Sequence, residues 1–414
     1  MNDPTVSATP TGAVFAGIDW ASADHAVCVI DATGTVLWRH TVSHSRAGLA
    51  RMTTRLGELA VARVGIERPD GPVVEALLDA GLPVAVVPPR QMKNLRSRYA
   101  RAGKDDRFDA YVLADAMRTD GHRFTDLTRD TAKTVGLRAL VRARQDLVEV
   151  RVGLVNQLRH TLELAFPGAV GLFCDLHSPI ARAFLRRFPT AADAAVLDED
   201  VMAAWLAAES YSGRTTAAVF IDRLRTAPAG LTGFEAAARR HVTLALLTGI
   251  DAIEVQVGEL TRRIKEALAQ HPDAPIFTSL PRAGQVRAAA LLAEIGDARG
   301  RYPDAQALAA AAGVCPFTDQ SGRHRSVGFR FRADTKLRRA LTDFADDSRH
   351  ANPWAADIYA RARTRGMRHP HAVRVLARAW TAVIWRSWQD HAVYDPARHN
   401  ALNRSIDHDA AAAA

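Results

Sequence analysis

The stretch VFAGIDWA at residues 14–21 decides the fold of the N-terminal part of this 414-residue chain. Its apolar run stops abruptly at Asp19, as a sequence does where a buried strand reaches the edge of a sheet. A second apolar run, VGI at residues 64–66, stops in the same way at Glu67. We therefore expect Asp19 and Glu67 to lie at the exits of two buried strands.

The residues around these two runs alternate between strand and helix patterns. Strands are predicted at 26–31, 35–41, 63–67 and 83–88, and helices at 46–60 and 71–80. A helix rich in Arg and Lys follows. Three meandering strands followed by alternating helices and strands are the order of an RNase H-like α/β fold, and both acids fall where that fold gathers metal ligands.

Two more acids come from the run KDDRFDA at residues 104–110. Asp106 and Asp109 are three residues apart at a predicted helix start, so they project from one face and can share a cation. Oxygen ligands from two strand ends and one helix suit Mg²⁺ or Mn²⁺, ions that drive displacement at phosphodiesters. Taken singly, Asp106 also fits a helix cap, Asp109 a charge favoured by the helix dipole, and Asp19 and Glu67 turn residues.

These motifs resemble the RuvC-like DEDD domain of a class of bacterial insertion-sequence transposases. The C-terminal half resembles the same family in LPRAG at 280–284, AAALLAEIGD at 288–297, residues 308–313 and QSG at 320–322. Two blocks in the right order are more specific than either alone. The chain departs from the family at Arg282, where a Gly is usual in Pro-Gly-x-Gly, and in the additional carboxylate of Asp105.

The resemblance implies a recombinase that uses both blocks. Asp19, Glu67, Asp106 and Asp109 would hold Mg²⁺ or Mn²⁺, and Ser321 would attack a DNA phosphodiester to give a covalent phosphoserine intermediate. It also implies two partners, the DNA of the element ends and target and a noncoding bridge RNA that guides the enzyme. Homodimers would pair into tetramers, with a composite site formed by the acids of one subunit and the serine domain of another.

Without the family, Ser321 reads most simply as part of a surface turn, because a serine hydroxyl is a poor nucleophile unless it is activated. Arg323, His324 and Arg325 lie beside it and are suited to neutralise a phosphate. Two other classes of function stay open: a metal-only RNase H-like nuclease or junction resolvase, in which water attacks, and a nucleic-acid-binding scaffold that does not cut.

Charge indicates a polyanionic partner, with 54 Lys and Arg against 45 Asp and Glu, a net charge of +9 and a pI of about 9.9. Two basic stretches flank the proposed chemical centres and are predicted to contact phosphates. The first contains Arg90, Lys93, Arg96, Arg98, Arg101 and Lys104; the second contains Arg323, Arg325, Arg330, Arg332, Lys336, Arg338 and Arg339. The scattered arginines of 361–378 are interpreted as a solvated face.

The patterns predict a disordered tail at 1–12, the RuvC-like domain at 13–128, a helical coiled-coil region at 129–275, a mainly α-helical C-terminal serine transposase domain at 276–400 and a tail at 401–414. Apolar stripes predict two long helices, one ending near Ala165 and one ahead of Pro272, which suggest an antiparallel coiled-coil arm. Helical runs are predicted at 191–209 and 215–226, and no role is assigned to residues 168–232. Isolated Cys28, Cys174 and Cys315 predict neither disulfides nor a zinc site. No membrane helix is expected, so we predict a cytoplasmic protein that associates with the nucleoid when it acts.

Overall fold

The structure, a computed structural model, describes residues 12–99, 105–321, 324–331 and 333–399, without the side chains of residues 90, 318–327, 398 and 399. The chain forms two compact units. The first runs to Asp130 and includes Ala298–Pro303. The second contains Thr131–Asp297 and the chain from Asp304 onward, so both predicted segments 129–275 and 276–400 contribute to it. The predicted tails at 1–12 and 401–414 lie outside the described residues, apart from Gly12.

A five-stranded sheet organises the first unit. Its strands are β1 (Val14–Asp19), β2 (Asp24–Ile30), β3 (Val36–Ser43), β4 (Val61–Ile66) and β5 (Val84–Val86). The order across the sheet is β3-β2-β1-β4-β5; the two pairings that involve β2 are antiparallel, and the pairings β1/β4 and β4/β5 are parallel. The predicted α/β architecture is confirmed, and this strand order is consistent with an RNase H-like fold.

Helices cover both faces of the sheet. They are α1 (Arg46–Glu58), α2 (Pro72–Asp79), α3 (Pro89–Arg96) and α4 (Asp106–Asp120). Alternate residues of β1 face different layers, because successive side chains of a strand point to opposite sides. Ala16 and Ile18 pack with α1 and α2, whereas Phe15 packs with residues of α4 on the other face. Asp19 therefore falls on the face that α4 covers.

The second unit is mostly helical and is built on two long helices. Its first six helices are α5 (Ala132–Ala165), α6 (Pro179–Arg187), α7 (Ala191–Ala194), α8 (Glu199–Ala208), α9 (Ala217–Thr226) and α10 (Gly233–Ala269). Helices α5 and α10 run antiparallel within the chain. Thr134 hydrogen-bonds His271 at the start of α5, and further along α5 Arg151 pairs with Glu254 at 2.8 Å.

The segment between these two helices folds around its own aromatic core. Phe173, Phe184, Trp205 and Phe220 pack there with apolar residues of α5 and α10. The sequence pattern indicated one continuous helical run over 191–209. That prediction is wrong, because Asp198 starts α8 by accepting a hydrogen bond from the backbone N–H of Val201 at 2.8 Å.

The remaining chain packs on two buried tryptophans. Its elements are α11 (Ala274–Thr278), α12 (Gly284–Ile295), α13 (Ala305–Ala312), β6 (Phe317–Ser321), β7 (His324–Gly328), α14 (Thr335–Ser348), α15 (Pro353–Thr364), α16 (His369–Gln389) and α17 (Pro396–His399). Trp380 donates to Ser348 Oγ at 2.9 Å and Trp388 to the carbonyl of Gly296 at 2.8 Å. Within the described residues, no helix has the length and apolar character needed to cross a membrane.

Candidate active site

Two paired glycines set the position of helix α4. Gly17 of β1 lies opposite Gly65 of β4 in the parallel ladder. A Cβ built on Gly17 would lie 2.1 Å from the carbonyl oxygen of Ala110, and one on Gly65 would lie 2.9 Å from that of Leu113. Only glycine therefore lets the backbone of α4 rest directly on β1 and β4.

This close packing brings three predicted acids to one region. Ile18 pairs with Ile66 across β1 and β4, so Asp19 and Glu67 leave the two neighbouring strands side by side. Both follow a residue that faces α1 and α2, and the alternation of a strand places them on the α4 face. Asp109, in the first turn of α4, is 1% exposed. Two strand ends and the start of α4 thus place these three carboxylates on one face of the sheet.

Arg96, the last residue of α3, joins two of these carboxylates. Its Nε lies 2.8 Å from Asp109 Oδ1 and its Nη2 lies 3.3 Å from Glu67 Oε1. The side chains of Arg96 and Glu67 are 31% and 23% exposed. One guanidinium therefore offsets the charge of a fully buried carboxylate and a partly buried one. Sequence reasoning assigned Arg96 to the nucleic-acid surface and missed this role.

Asp105 and Asp106 differ from Asp109 in their surroundings. Asp105 is the N-cap of α4 and accepts a hydrogen bond from the backbone N–H of Arg107 at 3.1 Å. The sequence had suggested Asp106 as a possible helix cap, but Asp105 has that role. Asp106 is exposed at the first helical position. The structure thus joins Asp109 to Glu67 through Arg96 and leaves Asp106 on the surface.

The donor set fits a hard divalent cation in type and in backbone position, because it consists of carboxylates at two strand ends and a helix start. Among the residues that the structure describes, no three Asp, Glu, His or Cys side chains are arranged to bind one ion. Instead, a guanidinium supplies the positive charge between Glu67 and Asp109. An ion held between Glu67 and Asp109 would therefore compete with the guanidinium of Arg96.

An aromatic cluster that the sequence did not reveal flanks the acids. Trp20 follows Asp19, and the guanidinium carbon of Arg68, which follows Glu67, lies 4.3 Å from the Trp20 ring centroid. His25 stacks on Trp20 and is fully buried. Its Nε2 shares a hydrogen bond with His44 Nδ1 at 2.8 Å, and burial, with a smaller contribution from His44, lowers the pKa of His25. In the sequence, the one sign of this aromatic cluster was Trp20, in the stretch VFAGIDWA.

The first basic stretch is partly used in ion pairs. Arg96 pairs with the acids above, and Arg98 pairs with Asp120. Lys93 is exposed, the side chain of Arg90 is not described, and Arg101 and Lys104 lie outside the described residues. All six cations were predicted to contact phosphate. Arg96 and Arg98 are not available for such a contact as long as they remain paired with carboxylates.

Ser321 is the last residue of β6 and pairs with His324 of β7 in a two-stranded hairpin. The sequence had placed Gln320 and Ser321 in a turn; that prediction is wrong, since the strand continues through Ser321. Arg323 and Arg332 lie outside the described residues, and the side chain of Arg325 is not described. The backbone carbonyl of Arg330 accepts from Arg338 at 2.6 Å.

Other cations of the second basic stretch have partners within the unit. Lys336 lies 3.7 Å from Asp146, and Arg339 pairs with Glu149, so both reach acids of α5. Arg338 donates to the carbonyl of Ala312 at 3.0 Å.

Comparison with known proteins identifies the family. Residues 16–167 match the model of the DEDD transposase domain of IS110, and residues 274–360 match the transposase model of the IS116/IS110/IS902 family. The protein assigned as the mini-circle transposase for IS117 of Streptomyces coelicolor is 34% identical over 404 residues, which cover 93% of this chain and 96% of that relative. The chain belongs to the IS116/IS110/IS902 transposase family.

Two further relatives of this family are proteins of insertion elements. A 42 kDa protein of IS900 from Mycobacterium paratuberculosis is 29% identical across 93% of this chain and 98% of its own length. A 44.8 kDa protein of IS116 from Streptomyces clavuligerus is also 29% identical, across 93% and 96%. The chain is therefore a transposase, an enzyme that recombines DNA. All four predicted acids lie in its first matched segment, and Ser321 lies in the second.

This IS110-type transposase has Arg282 where a glycine is usual in the family, and the backbone conformation at this position is unusual for an arginine. Arg282 has φ +56°, in the left-handed region that favours glycine, and Gly284 has φ +55°. An arginine thus occupies a backbone position whose conformation favours glycine. Arg282 Nε lies 3.1 Å from Asp347, which also pairs with Arg287 at 2.9 Å.

Proposed function

We propose that this transposase cuts and rejoins DNA through Ser321 as nucleophile, with Asp19, Glu67, Asp106 and Asp109 holding Mg²⁺ or Mn²⁺. The observation that carries the proposal is that Asp19 and Glu67 leave neighbouring strands side by side, and that Arg96 joins Glu67 to Asp109 at the start of α4. A cluster of carboxylates that needs a cation for charge balance is the arrangement that phosphodiester chemistry uses.

The bound ion would neutralise charge that develops on a phosphate oxygen during displacement. Within the chain, Asp109 and Glu67 would exchange their contact with Arg96 for contact with the ion. The guanidinium of Arg96 would then be available to a DNA phosphate, with which it can form two parallel hydrogen bonds. Asp106, exposed at the start of α4, would complete the ligand set from the solvent side.

Ser321 would exchange one phosphodiester for another. A bond forms between its Oγ and phosphorus as the bond from phosphorus to a deoxyribose oxygen breaks, and the serine proton leaves to the released hydroxyl. The hydroxyl of another strand then attacks the phosphoserine and returns the serine. Each step replaces one phosphate ester by another, so rejoining needs no nucleotide hydrolysis.

We also propose a noncoding guide RNA as partner and dimers that assemble into a tetramer on DNA, so that the acids of one subunit act with Ser321 of another. The basic residues beside both segments support phosphate contacts. In the first stretch, Lys93 and the cations Arg90, Arg101 and Lys104 are the candidates, with Arg96 joining once the carboxylates bind an ion. Such an enzyme acts where its DNA lies, in the nucleoid.

The test incubates the full-length protein with end-labelled target DNA, Mg²⁺ and RNA transcribed from the noncoding DNA that flanks its gene. Denaturing gels are run before and after protease treatment. The variants are Ser321→Ala and Asp109→Asn, with Ser212→Ala and Asp222→Asn as controls because both control residues are exposed in the second unit.

We expect a protease-sensitive shifted band from wild type and both controls. Ser321→Ala should bind DNA but form no adduct and no recombined product, and Asp109→Asn should lose both through weakened metal binding. Equal amounts of free cleavage products from wild type and Ser321→Ala would contradict the serine mechanism, and would identify a metal-only nuclease in which water attacks.

A further inference from the structure

A cavity of about 530 Å³ lies in the second unit, among α16, the turn after α13 and the base of the β6–β7 hairpin. Its wall combines apolar groups with cations. Cys315, Phe329 and Met367 supply the apolar part, and His371, Arg374 and Arg378 of α16 supply the charge. The second family match ends at residue 360, so α16 and its three cations lie beyond the matched segment.

The three cations form one face of α16, since residues three and four apart are neighbours on a helix. The sequence pattern had suggested a solvated face for the arginines of 361–378. That interpretation is wrong for Arg374, a half-buried residue that lines the cavity together with Arg378. Arg374 is only partly exposed, whereas His371 and Arg378 are open to solvent.

Among the described residues that line the cavity, positive charge is concentrated without acids to balance it. The guanidinium carbons of Arg374 and Arg338 lie 4.5 and 4.6 Å from the ring centroid of Phe329. Arg338 is held by backbone carbonyls, which carry no net charge. Within the described part of the chain, neither Arg374 nor Arg378 forms an ion pair with a carboxylate. Burial, and to a smaller extent Arg338, lowers the pKa of Arg374, as expected for a desolvated cation beside another.

We propose that this cavity binds one unpaired nucleotide of a nucleic-acid strand, with its base against the apolar wall and its phosphate on Arg374 and Arg378. The volume is that of a small-ligand site. Apolar and aromatic surface for a base next to arginines for a phosphate is the combination by which proteins hold single strands. The proposal rests on the family assignment as a DNA-acting transposase and is independent of the serine mechanism.

The test measures equilibrium binding of the full-length protein to a short fluorescein-labelled oligothymidylate. Fluorescence anisotropy is the readout, and the titration is repeated over a range of salt concentrations. An oligouridylate of the same length separates RNA from DNA as the source of the nucleotide. An abasic oligonucleotide keeps the phosphates and removes the bases, and inorganic phosphate is added as a competitor.

Two variants address the two halves of the site. Arg374→Gln with Arg378→Gln removes the cations that would hold the phosphate, and Val375→Phe, whose residue also lines the cavity, fills the space for the base. The control is Arg159→Gln with Arg225→Gln, which removes the same charge from exposed positions of α5 and α9. Ser321→Ala should bind like wild type, which separates this proposal from the catalytic one.

We expect the Arg374/Arg378 variant to bind about tenfold more weakly and to lower the salt slope by about 0.7 for each phosphate that it no longer neutralises. Val375→Phe should weaken binding and leave the slope unchanged, and a thermal melt verifies its folding. The proposal is overturned if the Arg374/Arg378 variant keeps the wild-type affinity and slope. It is equally overturned if the abasic oligonucleotide binds as tightly as the normal one, or if phosphate alone displaces the oligonucleotide completely.

Discussion

Replacing Gly17 by Ala should separate helix α4 from the sheet. The new Cβ would lie 2.1 Å from the carbonyl oxygen of Ala110 and 2.4 Å from the backbone nitrogen of Ala114. Both are backbone atoms of a regular helix, so neither can rotate away as a flexible side chain would. The backbone conformation of Gly17 has no positive φ, so the effect is purely one of space.

The size of the effect follows from the contact distances. An ordinary contact between a carbon and a carbonyl oxygen is about 3.3 Å or longer, so α4 would have to move by about 1 Å. Overpacking of this kind costs about 1–3 kcal/mol in typical cores, and a rigid neighbour puts Gly17→Ala at or above the upper end. The matched control is Gly57→Ala in α1, where a Cβ meets no atom within 4 Å. That variant should be more stable than wild type by about 0.5–1 kcal/mol.

Hydrogen exchange read by mass spectrometry is the suitable assay, because a chain with two compact units need not unfold in one step. In Gly17→Ala, amides of residues 106–120 should exchange faster, while those of α5 and α10 should keep their wild-type rates. Gly57→Ala should show wild-type or slower exchange in the first unit. Wild-type protection of residues 106–120 in Gly17→Ala would refute the argument that a glycine is required beneath α4.

Two further predictions concern the charged groups near the acids. Arg96→Gln should lower the free energy of unfolding by about 1–3 kcal/mol in EDTA, since Asp109 loses its guanidinium partner. Adding Mg²⁺ should then raise the melting temperature of the variant by more than it raises that of wild type. An equal rise in both proteins would show that Arg96 and the ion do not compete. The lowered pKa of His25 means that the unfolded state binds its proton more readily, so stability should be complete above about pH 6.5 and fall as the pH drops towards the folded pKa. Urea midpoints at about pH 7.5 and about pH 5.5 should therefore differ more in wild type than in His25→Gln, and equal differences would exclude His25 as the source.

The sequence predicted the strands and the placement of their acids because both depend on local pattern. An apolar run that ends in a carboxylate signals a strand exit, and Asp19 and Glu67 lie at such exits. The bridging role of Arg96 could not be predicted in this way. It depends on how α3 is oriented after β5, which brings Arg96 to a carboxylate 29 residues earlier in the chain.

The hairpin that carries Ser321 was missed for a different reason. Its strands read FTDQS and HRSVG, which are short and mostly polar, so neither shows the alternation of apolar and polar residues that reveals a half-buried strand. The break between α7 and α8 was missed because helix propensity is high on both sides of Asp198, and a single capping residue decides the boundary.

The density of basic residues along the sequence was a poor guide to which cations are available for nucleic acid. Arg96, Arg98, Lys336 and Arg339 belong to the two basic stretches beside the proposed chemical centres, yet each lies beside a carboxylate. A phosphate that binds such a cation must first compete with its partner. Arg374 and Arg378 belong to the segment 361–378, which contains six arginines and no acid, and in the described part of the chain neither of these two pairs with a carboxylate. Since the free energy gained from a phosphate contact depends on what the cation gives up, these two arginines should contribute more to binding than their paired counterparts.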